Sequence, residues 1–263
     1  EHQQFRRNVD VMFGFGKCRI EKLDFLVAGA QKSGTTALNY YLKRHPRIAL
    51  PIKKELHFFD NDELFAGGNI SYQPLHEMFR PSRPGSIAGE NTPVYLYWRP
   101  ALPRIRDYNP EMKFIVILRN PIDRAFSQWN MQRARGIESL DFLDAVAAEP
   151  RRIAESAPRQ LRKLSYVDRG RYAEQLQRAF RLFPREQFLI IKYERFRGRQ
   201  REVVADVFRF LNLSPVRFRA VEAHDIPYGR KIREEERTAV WNIVKGDIAQ
   251  LETLLGWDCS DWR

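Results

Sequence analysis

The chain has 263 residues, of which 43% are hydrophobic and 13% aromatic, which is enough apolar material for the core of one large domain. Its apolar runs are short, whereas a membrane-spanning helix needs roughly 18 to 20 apolar residues in succession. Its two cysteines are too few for a disulfide framework or a zinc site. The net charge of +12 indicates anionic partners such as nucleotides, acidic polysaccharides, nucleic acid or a membrane surface.

The ends of the chain bear on its location and domain organisation. The first residues lack the apolar segment of a signal peptide, and the scarcity of cysteine favours a reducing compartment. We therefore expect a cytoplasmic protein with no transmembrane segment, while a further segment before residue 1 and the oligomeric state stay open. No repeat or Gly/Ser-rich linker divides the chain, so we interpret residues 1–23 as an N-terminal extension and residues 24–263 as one domain.

The predicted elements alternate between strand and helix, which is typical of an α/β domain with a central, mainly parallel sheet flanked by helices. The apolar pattern predicts strands at 24–30, 113–119 and 188–193. Helices are predicted at 35–44, from Pro121 onward, from Tyr172 to Phe183, around 203–211 and at 234–255. The irregular stretch 60–83 is expected to form a surface loop near a site.

Positive charge is concentrated between Arg151 and Arg201, where 13 Arg and 2 Lys stand against five acidic residues. Two interpretations stay open for this segment, a solvated helical face and a functional basic surface. The segment lacks the interleaved aromatic residues of a groove for single-stranded nucleic acid, and we expect no nucleic-acid partner.

A glycine-containing loop, GAQKSGTT at 29–36, joins the first predicted strand to the first predicted helix. The free N–H groups and the dipole of a helix start stabilise an anion, and Gly34 lets the backbone approach it closely. Thr35 and Thr36 add hydroxyl donors, and Lys32 adds a full positive charge. Because Thr35 stands where a nucleoside-triphosphate loop has lysine, the sequence predicts a P-loop-like phosphate site of a different kind.

A second anion site is predicted after the strand KFIVIL. Arg119 follows the carboxyl end of this strand, where α/β folds place ligands, and Ser127 lies about two turns into the next helix. The planar guanidinium of arginine suits phosphate oxygens, and serine adds one donor. The alternative is an arginine at a strand end and a serine on a helix surface.

The run KKELHFFD at 53–60 places a carboxylate and an imidazole two residues apart. On an extended segment Glu55 and His57 would point to the same side, while Phe58 and Phe59 would wedge the segment against the core. Either polar side chain could act as the general base that transfer to a hydroxyl group requires. The structural alternatives are a salt bridge from Glu55 to Lys53 or Lys54 and a histidine without a catalytic role.

Residues 25–38 resemble the 5′-phosphosulfate loop of sulfotransferases that use 3′-phosphoadenosine 5′-phosphosulfate (PAPS), and residues 119–129 resemble their 3′-phosphate site. The resemblance implies that the loop binds the 5′-phosphate and the sulfate, and that Lys32 stabilises the bridging oxygen as its bond to sulfur breaks. Arg119 and Ser127 would bind the 3′-phosphate, as would a basic loop at Pro227–Lys231. The implied cofactor-binding residues are Gln31, Lys32, Ser33, Gly34, Thr35, Thr36, Arg119, Ser127, Tyr172, Gly229, Arg230 and Lys231.

The acceptor side is similar to the heparan sulfate branch of this family, especially its 3-O type. By that resemblance Glu55 is the base and His57 lies beside the acceptor hydroxyl. The segment at Glu90–Tyr95 also matches, but Asn91 replaces a lysine that the branch places near the transferred sulfate. The absence of the branch's disulfide-bearing loop favours a bacterial or otherwise cytoplasmic relative.

The expected function is therefore transfer of the sulfuryl group from PAPS to an acceptor hydroxyl, with PAP as product and a carbohydrate as the favoured acceptor. A natural-product or lipid alcohol is the alternative acceptor. A small-molecule kinase and a non-catalytic polyanion binder are the rival functions. Because a sulfuryl group carries less charge than a phosphoryl group, the scheme requires no metal.

Overall fold

The computed structural model describes residues 19–218 and 229–263, and at its centre lies a parallel sheet of five strands. Across the sheet the order is β2-β3-β1-β4-β5, and each neighbouring pair is parallel. The strands are β1 (Phe25–Gly29), β2 (Ile48–Ala49), β3 (Ile87–Asn91), β4 (Lys113–Leu118) and β5 (Phe188–Lys192). Their carboxyl ends therefore meet at one edge of the sheet, where open α/β sheets bind ligands.

Helices connect the strands and cover both faces of the sheet. They are α1 (Thr35–Leu42), α2 (Asp62–Phe65), α3 (Gln73–His76), α4 (Ala101–Tyr108), α5 (Pro121–Ala134), α6 (Phe142–Ser156), α7 (Tyr172–Leu182), α8 (Tyr193–Gly198), α9 (Gln200–Phe210) and α10 (Glu234–Leu255). In the described ranges no helix combines the length and the apolar character that crossing a membrane would require.

Alternating side chains of the central strands bury two apolar cores. In β1, Leu26 faces one core and Val27 the other, and in β4 Phe114 and Ile115 divide in the same way. All of these side chains are fully buried, as expected for parallel strands with helices on both faces. The two core strands therefore fix the positions of the loops that follow them.

The α/β fold and the three long strands predicted from the sequence are confirmed, as is the helix at Glu234–Leu255. Strands β2 and β3 were not predicted, because β2 has two residues and β3 ends in the polar run Gly-Glu-Asn. Helices α4, α6 and α8 were also missed, as were the short helices α2 and α3 within the stretch 60–83 that was expected to be irregular. Leu23, which precedes the predicted domain start, is fully buried.

The arginine-rich segment 151–201 does not form one solvated face. Arg169 is buried, Arg152 pairs with Glu138 at 2.6 Å, and Arg178 pairs with Glu174 at 3.0 Å with most of its side chain covered. Other arginines of the segment, such as Arg151, are exposed. Part of the charge that the composition places in this segment thus lies inside the fold.

A close approach between β1 and β3 depends on a glycine. Gly89 pairs with Phe25 across the sheet, and a Cβ atom at Gly89 would lie 2.2 Å from Cζ of the Phe25 ring. Since Phe25 is fully buried, its ring has no open space to move into.

Replacement of Gly89 by alanine is therefore expected to lower the free energy of unfolding by about 1 to 3 kcal/mol through overpacking. Chemical denaturation followed by circular dichroism measures the change. Gly246→Ala in α10 is the matched control, because nothing lies within 4 Å of its added methyl group. Alanine there is expected to stabilise the helix by about 0.5 to 1 kcal/mol, and a similar effect of both substitutions would contradict the packing explanation.

Candidate active site

The loop between β1 and α1 wraps the start of α1 tightly. Gly34 precedes the helix with a left-handed φ of 84°, and a Cβ atom there would lie 3.0 Å from Cε2 of Tyr193. Both the dihedral angle and the contact favour glycine. The Ser33 side chain is fully buried at this loop, beside Tyr172.

Positive charge accumulates around Lys32 in this loop. Burial lowers the pKa of its ammonium group, and so does repulsion from four other cations, Arg119, Arg135, Arg124 and Lys54. Like charges so close together are costly unless an anion shares them. The predicted role of the loop as an anion site therefore agrees with the electrostatics of its surroundings.

Arg119 directly follows β4 and joins the loop from the side. Its guanidinium donates to the backbone oxygen of Lys32 at 3.2 Å and lies 5.0 Å from the centre of the Tyr193 ring. The hydroxyl of Tyr172 donates to the Arg119 backbone oxygen at 2.9 Å. Arg119 and Tyr193 line a cleft of about 570 Å³. Ser127 is buried in α5, the helix that follows Arg119.

Gln31, also in the loop, is hydrogen-bonded to Arg169, a residue that the sequence analysis did not identify. Its side-chain oxygen accepts a hydrogen bond from Arg169 at 2.9 Å. Burial lowers the pKa of Arg169 to about 10, and its Nε donates to Ser165 at 3.1 Å. Since 138 residues separate Gln31 from Arg169, no local pattern indicates the contact.

The segment at 53–60 brings Glu55 and His57 together, but it is not extended as predicted. Both residues have left-handed backbones, with φ of 59° at Glu55 and 55° at His57. The two side chains nevertheless approach, with His57 Nε2 lying 3.7 Å from Glu55 Oε2. The other imidazole nitrogen, Nδ1, lies 3.0 Å from Oδ2 of the buried Asp60.

This arrangement fixes the charges of the carboxylate and the imidazole. Hydrogen bonding to Asp60, and then to Glu55, raises the pKa of His57 to about 9, so the imidazole is protonated at neutral pH. His57 in turn, with help from Lys54, lowers the pKa of Glu55. Glu55 is therefore ionised and can accept a proton, whereas His57 can only donate one.

Lys54 connects this segment to the phosphate loop. Its ammonium donates to Thr36 Oγ1 at 2.7 Å and lies 3.2 Å from Glu55 Oε1. The salt bridge to Glu55 considered from the sequence is therefore present, and Lys54 makes it while Lys53 is exposed. The side chain of Lys54 thus bridges the phosphate loop and Glu55, which the sequence analysis had predicted as separate parts of the site.

A buried carboxylate at the end of β3 holds the segment from beneath. Glu90 accepts hydrogen bonds from the backbone N–H of Leu56 at 2.9 Å and from the Tyr95 hydroxyl at 2.8 Å. The Tyr95 oxygen accepts from the backbone N–H of Phe58 at 3.1 Å. These bonds fix the amides that follow Glu55 and His57, which accounts for their unusual dihedral angles. Burial raises the pKa of Glu90 to about 7.

Asn91 and Phe59 complete the floor of the site. The Asn91 amide nitrogen donates to the backbone oxygen of Thr35 at 2.7 Å, so Asn91 supports the start of α1. Phe59 is fully buried, and its ring centre lies 5.6 Å from that of Tyr95. The predicted wedging of the segment against the core is confirmed for Phe59.

A second cleft, of about 690 Å³, opens beside His57 and Asp60. Asp60 accepts hydrogen bonds from Arg162, whose guanidinium carbon lies 3.8 Å from the centre of the Trp98 ring. Polar side chains make up most of the lining: His57, Asp60, Asn61, Asp62, Glu63, Ser156, Arg159, Gln160 and Arg162, together with Ala66 and Trp98. The wall between Asp60 and Ala66 belongs to the stretch that was expected to lie near a site.

The C-terminal basic loop is only partly described, because Pro227 and Tyr228 lie outside the described residues. Arg230 makes two hydrogen bonds to Glu236, at 2.7 and 2.6 Å, and its guanidinium carbon lies 5.1 Å from the ring centres of Phe126 and Trp129. Arg230 therefore lies against α5, the helix of Ser127. Gly229 and Lys231 are exposed.

Within residues 19–218 and 229–263, no three His, Cys, Asp or Glu side chains lie close enough together to hold a metal ion.

The sequence matches the family model described as "Sulfotransferase domain" over residues 22–224. It is 33% identical to heparan sulfate glucosamine 3-O-sulfotransferase 6 of Homo sapiens over 196 residues, which covers 73% of this chain and 52% of that protein. It is also 33% identical to bifunctional heparan sulfate N-deacetylase/N-sulfotransferase 3 of Homo sapiens over 202 residues, which covers 73% of this chain and 22% of that protein. The chain thus spans about half the length of the first relative and about a fifth of the second.

Among solved structures, a sulfotransferase from Alicyclobacillus acidocaldarius superimposes with a TM-score of 0.77 and 30% sequence identity. The superposition covers 93% of this chain and 100% of that one. The similarity therefore includes the whole arrangement of the sheet and its helices.

The raised pKa of His57 allows a direct test of its ion pair with Asp60. Asp60→Asn removes the charged partner of Nδ1, so the pKa of His57 is expected to fall from about 9 toward its ordinary value of 6.5. NMR titration of the imidazole signals measures this change. Asp62→Asn is the control, because Asp62 contacts Arg104 and Trp98 instead. An unchanged His57 pKa in the Asp60 variant would contradict the described ion pair.

Proposed function

Because the chain belongs to the sulfotransferase domain family, which it matches over residues 22–224, we propose that it transfers the sulfuryl group of PAPS to a hydroxyl group of an acceptor. One observation carries the proposal. Lys54 contacts both Thr36 of the phosphate loop and Glu55, so a site for an anionic donor and a base for the acceptor lie side by side. Such proximity is what a direct transfer between two bound substrates needs.

The loop residues suit the 5′-phosphosulfate end of the donor. The Ser33 side chain is buried at the loop, and Lys32 is surrounded by other cations whose charge lowers its pKa. The first N–H groups of α1 add donors aimed at the same place. Arg119 and Ser127 would hold the 3′-phosphate, with Tyr172 and Gln31 framing the loop. Gly229, Arg230 and Lys231 are proposed to close over the same phosphate.

PAPS supplies a sulfuryl group joined to phosphate through a bridging oxygen. Glu55 takes the proton of the acceptor hydroxyl while that oxygen attacks sulfur in line with the bridging oxygen. His57, held protonated by Asp60, orients the carboxylate and lies beside the acceptor. Lys32 and the start of α1 stabilise the negative charge that develops on the bridging oxygen.

The cleft beside His57 favours a carbohydrate acceptor. Its lining offers carboxylate, amide, guanidinium and hydroxyl groups, which match the many hydroxyls of a saccharide. Arg162 lies over one face of the Trp98 ring, with its guanidinium carbon 3.8 Å from the ring centre, so a charged group covers part of the tryptophan side chain in this lining. The names of the curated relatives, which refer to heparan sulfate, support the same acceptor class.

The proposal is tested by turnover of radiolabelled PAPS with three acceptors in parallel, heparan sulfate oligosaccharides, cellobiose and 1-dodecanol. Transfer to a saccharide is expected, and Lys32→Ala is expected to reduce kcat by about 100- to 1,000-fold through loss of transition-state stabilisation. The control is Lys43→Ala, an exposed lysine after α1. Near-normal turnover by the Lys32 variant would contradict its role, and transfer to dodecanol alone would contradict the acceptor class.

A further inference from the structure

Lys54 lies between the phosphate loop and Glu55, and the proposed reaction assigns it no role in catalysis. Its ammonium donates to Thr36 Oγ1, in the first turn of α1, and lies 3.2 Å from Glu55 Oε1. Its side chain is 25% exposed, so its charge is less screened than that of a surface lysine. Within the described residues, the groups that pair with Glu55 are Lys54 and His57.

Asn91, the last residue of β3, lies next to this contact and carries no charge. Asn91 is buried, and its amide nitrogen is committed to the backbone oxygen of Thr35. Lys32 approaches from the loop, close enough that the charge of Lys54 lowers its pKa. Two ammonium groups that repel each other beside a helix start are stabilised by an anion that contacts both.

We propose that Lys54 is a further catalytic residue, whose ammonium binds the sulfuryl oxygens during transfer and links them to the Glu55 carboxylate. This inference rests on the proposed sulfuryl transfer. In this proposal the two lysines stabilise different groups in the transition state. Lys32 stabilises the oxygen that departs with the phosphate, and Lys54 stabilises the group that moves.

The transfer step explains why the same lysine contacts the base. The acceptor oxygen forms a bond to sulfur, the bond from sulfur to the bridging oxygen breaks, and its electron pair leaves with the phosphate. The acceptor proton goes to Glu55, which becomes neutral and no longer attracts the ammonium. Lys54 is then free to stay with the negative sulfuryl oxygens, so proton transfer and charge stabilisation support each other.

The ion pair has a second measurable effect, on the proton affinity of the base. His57 and then Lys54 lower the pKa of Glu55. Removal of the Lys54 charge is therefore expected to raise that pKa, while His57 still holds it below the value of a free carboxyl. The other charged groups around this carboxylate are Asp60 and Arg162 behind His57, Glu90 beneath Leu56, and Lys32 in the loop.

Three variants separate these effects. Lys54→Met removes the charge but keeps an unbranched side chain, and Lys54→Arg keeps the charge. Lys53→Met is the matched control, because Lys53 is the adjacent, exposed lysine and makes no ion pair or hydrogen bond in the described ranges. Carboxyl ¹³C NMR titration, which needs neither donor nor acceptor, is expected to show a higher Glu55 pKa in Lys54→Met alone.

Turnover of PAPS provides the second measurement, with heparan sulfate oligosaccharide, cellobiose and water as acceptors. Lys54→Met is expected to lower kcat about 100-fold while the Kd for PAP changes by less than about threefold. Its acidic limb of kcat/KM should move to higher pH, in parallel with the Glu55 titration. Lys54→Arg should recover part of kcat and restore the limb.

Equal kinetics of the Met variants at positions 53 and 54 would overturn the role of Lys54 while leaving sulfuryl transfer in place. A loss of kcat without a shift of the Glu55 pKa would also overturn it, because the lysine would not be linked to the base. If the unaltered protein transfers no sulfuryl group from PAPS to any of these acceptors or to 1-dodecanol, the proposed function fails together with the inference. Thermal melts of all variants identify any loss that comes from unfolding.

Discussion

Repulsion among cations at the start of α1 is the constraint on which the site depends. Lys32 lies among Arg119, Arg124, Arg135 and Lys54, and burial adds to the cost of its charge. Arg124 is fully buried, and its guanidinium donates to Gln128 and to the backbone oxygen of Tyr166 instead of to a carboxylate. A fold that concentrates charge in this way binds a multiply charged anion strongly, because the ligand supplies the missing counter-charge.

Two of the three carboxylates around the site, Glu90 and Asp60, have partners other than these cations. Glu90 is buried under residues 55–58, where it accepts hydrogen bonds from Leu56 and Tyr95. Asp60 is buried behind His57 and accepts a hydrogen bond from the Arg162 guanidinium. Glu55 alone among these three reaches the phosphate loop, through Lys54. In the proposed reaction this separation leaves positive charge to bind the donor and the Glu55 carboxylate to take the acceptor proton.

Much of this arrangement could be predicted from local sequence. Resemblance to the sulfotransferase family is confirmed, and so are the strands that carry the loop and Arg119, because long apolar runs flanked by turn residues depend little on distant contacts. The contacts that orient the side chains could not be predicted. Gln31 meets Arg169 across 138 residues, and Asp60 meets Arg162 across 102. The left-handed backbones of Glu55 and His57 were missed for the same reason, since buried groups of β3 and its following turn impose them.

Isothermal titration calorimetry with PAP, beside Mg–ATP as a control, tests the identity of the donor site most directly. Saturable PAP binding, little or no binding of Mg–ATP, and loss of PAP binding in Arg119→Ala are expected, because the loop and Arg119 are proposed to hold the two phosphate ends of the nucleotide. An absence of PAP binding in folded protein would contradict the proposed donor. Tight binding of Mg–ATP in its place would indicate a kinase.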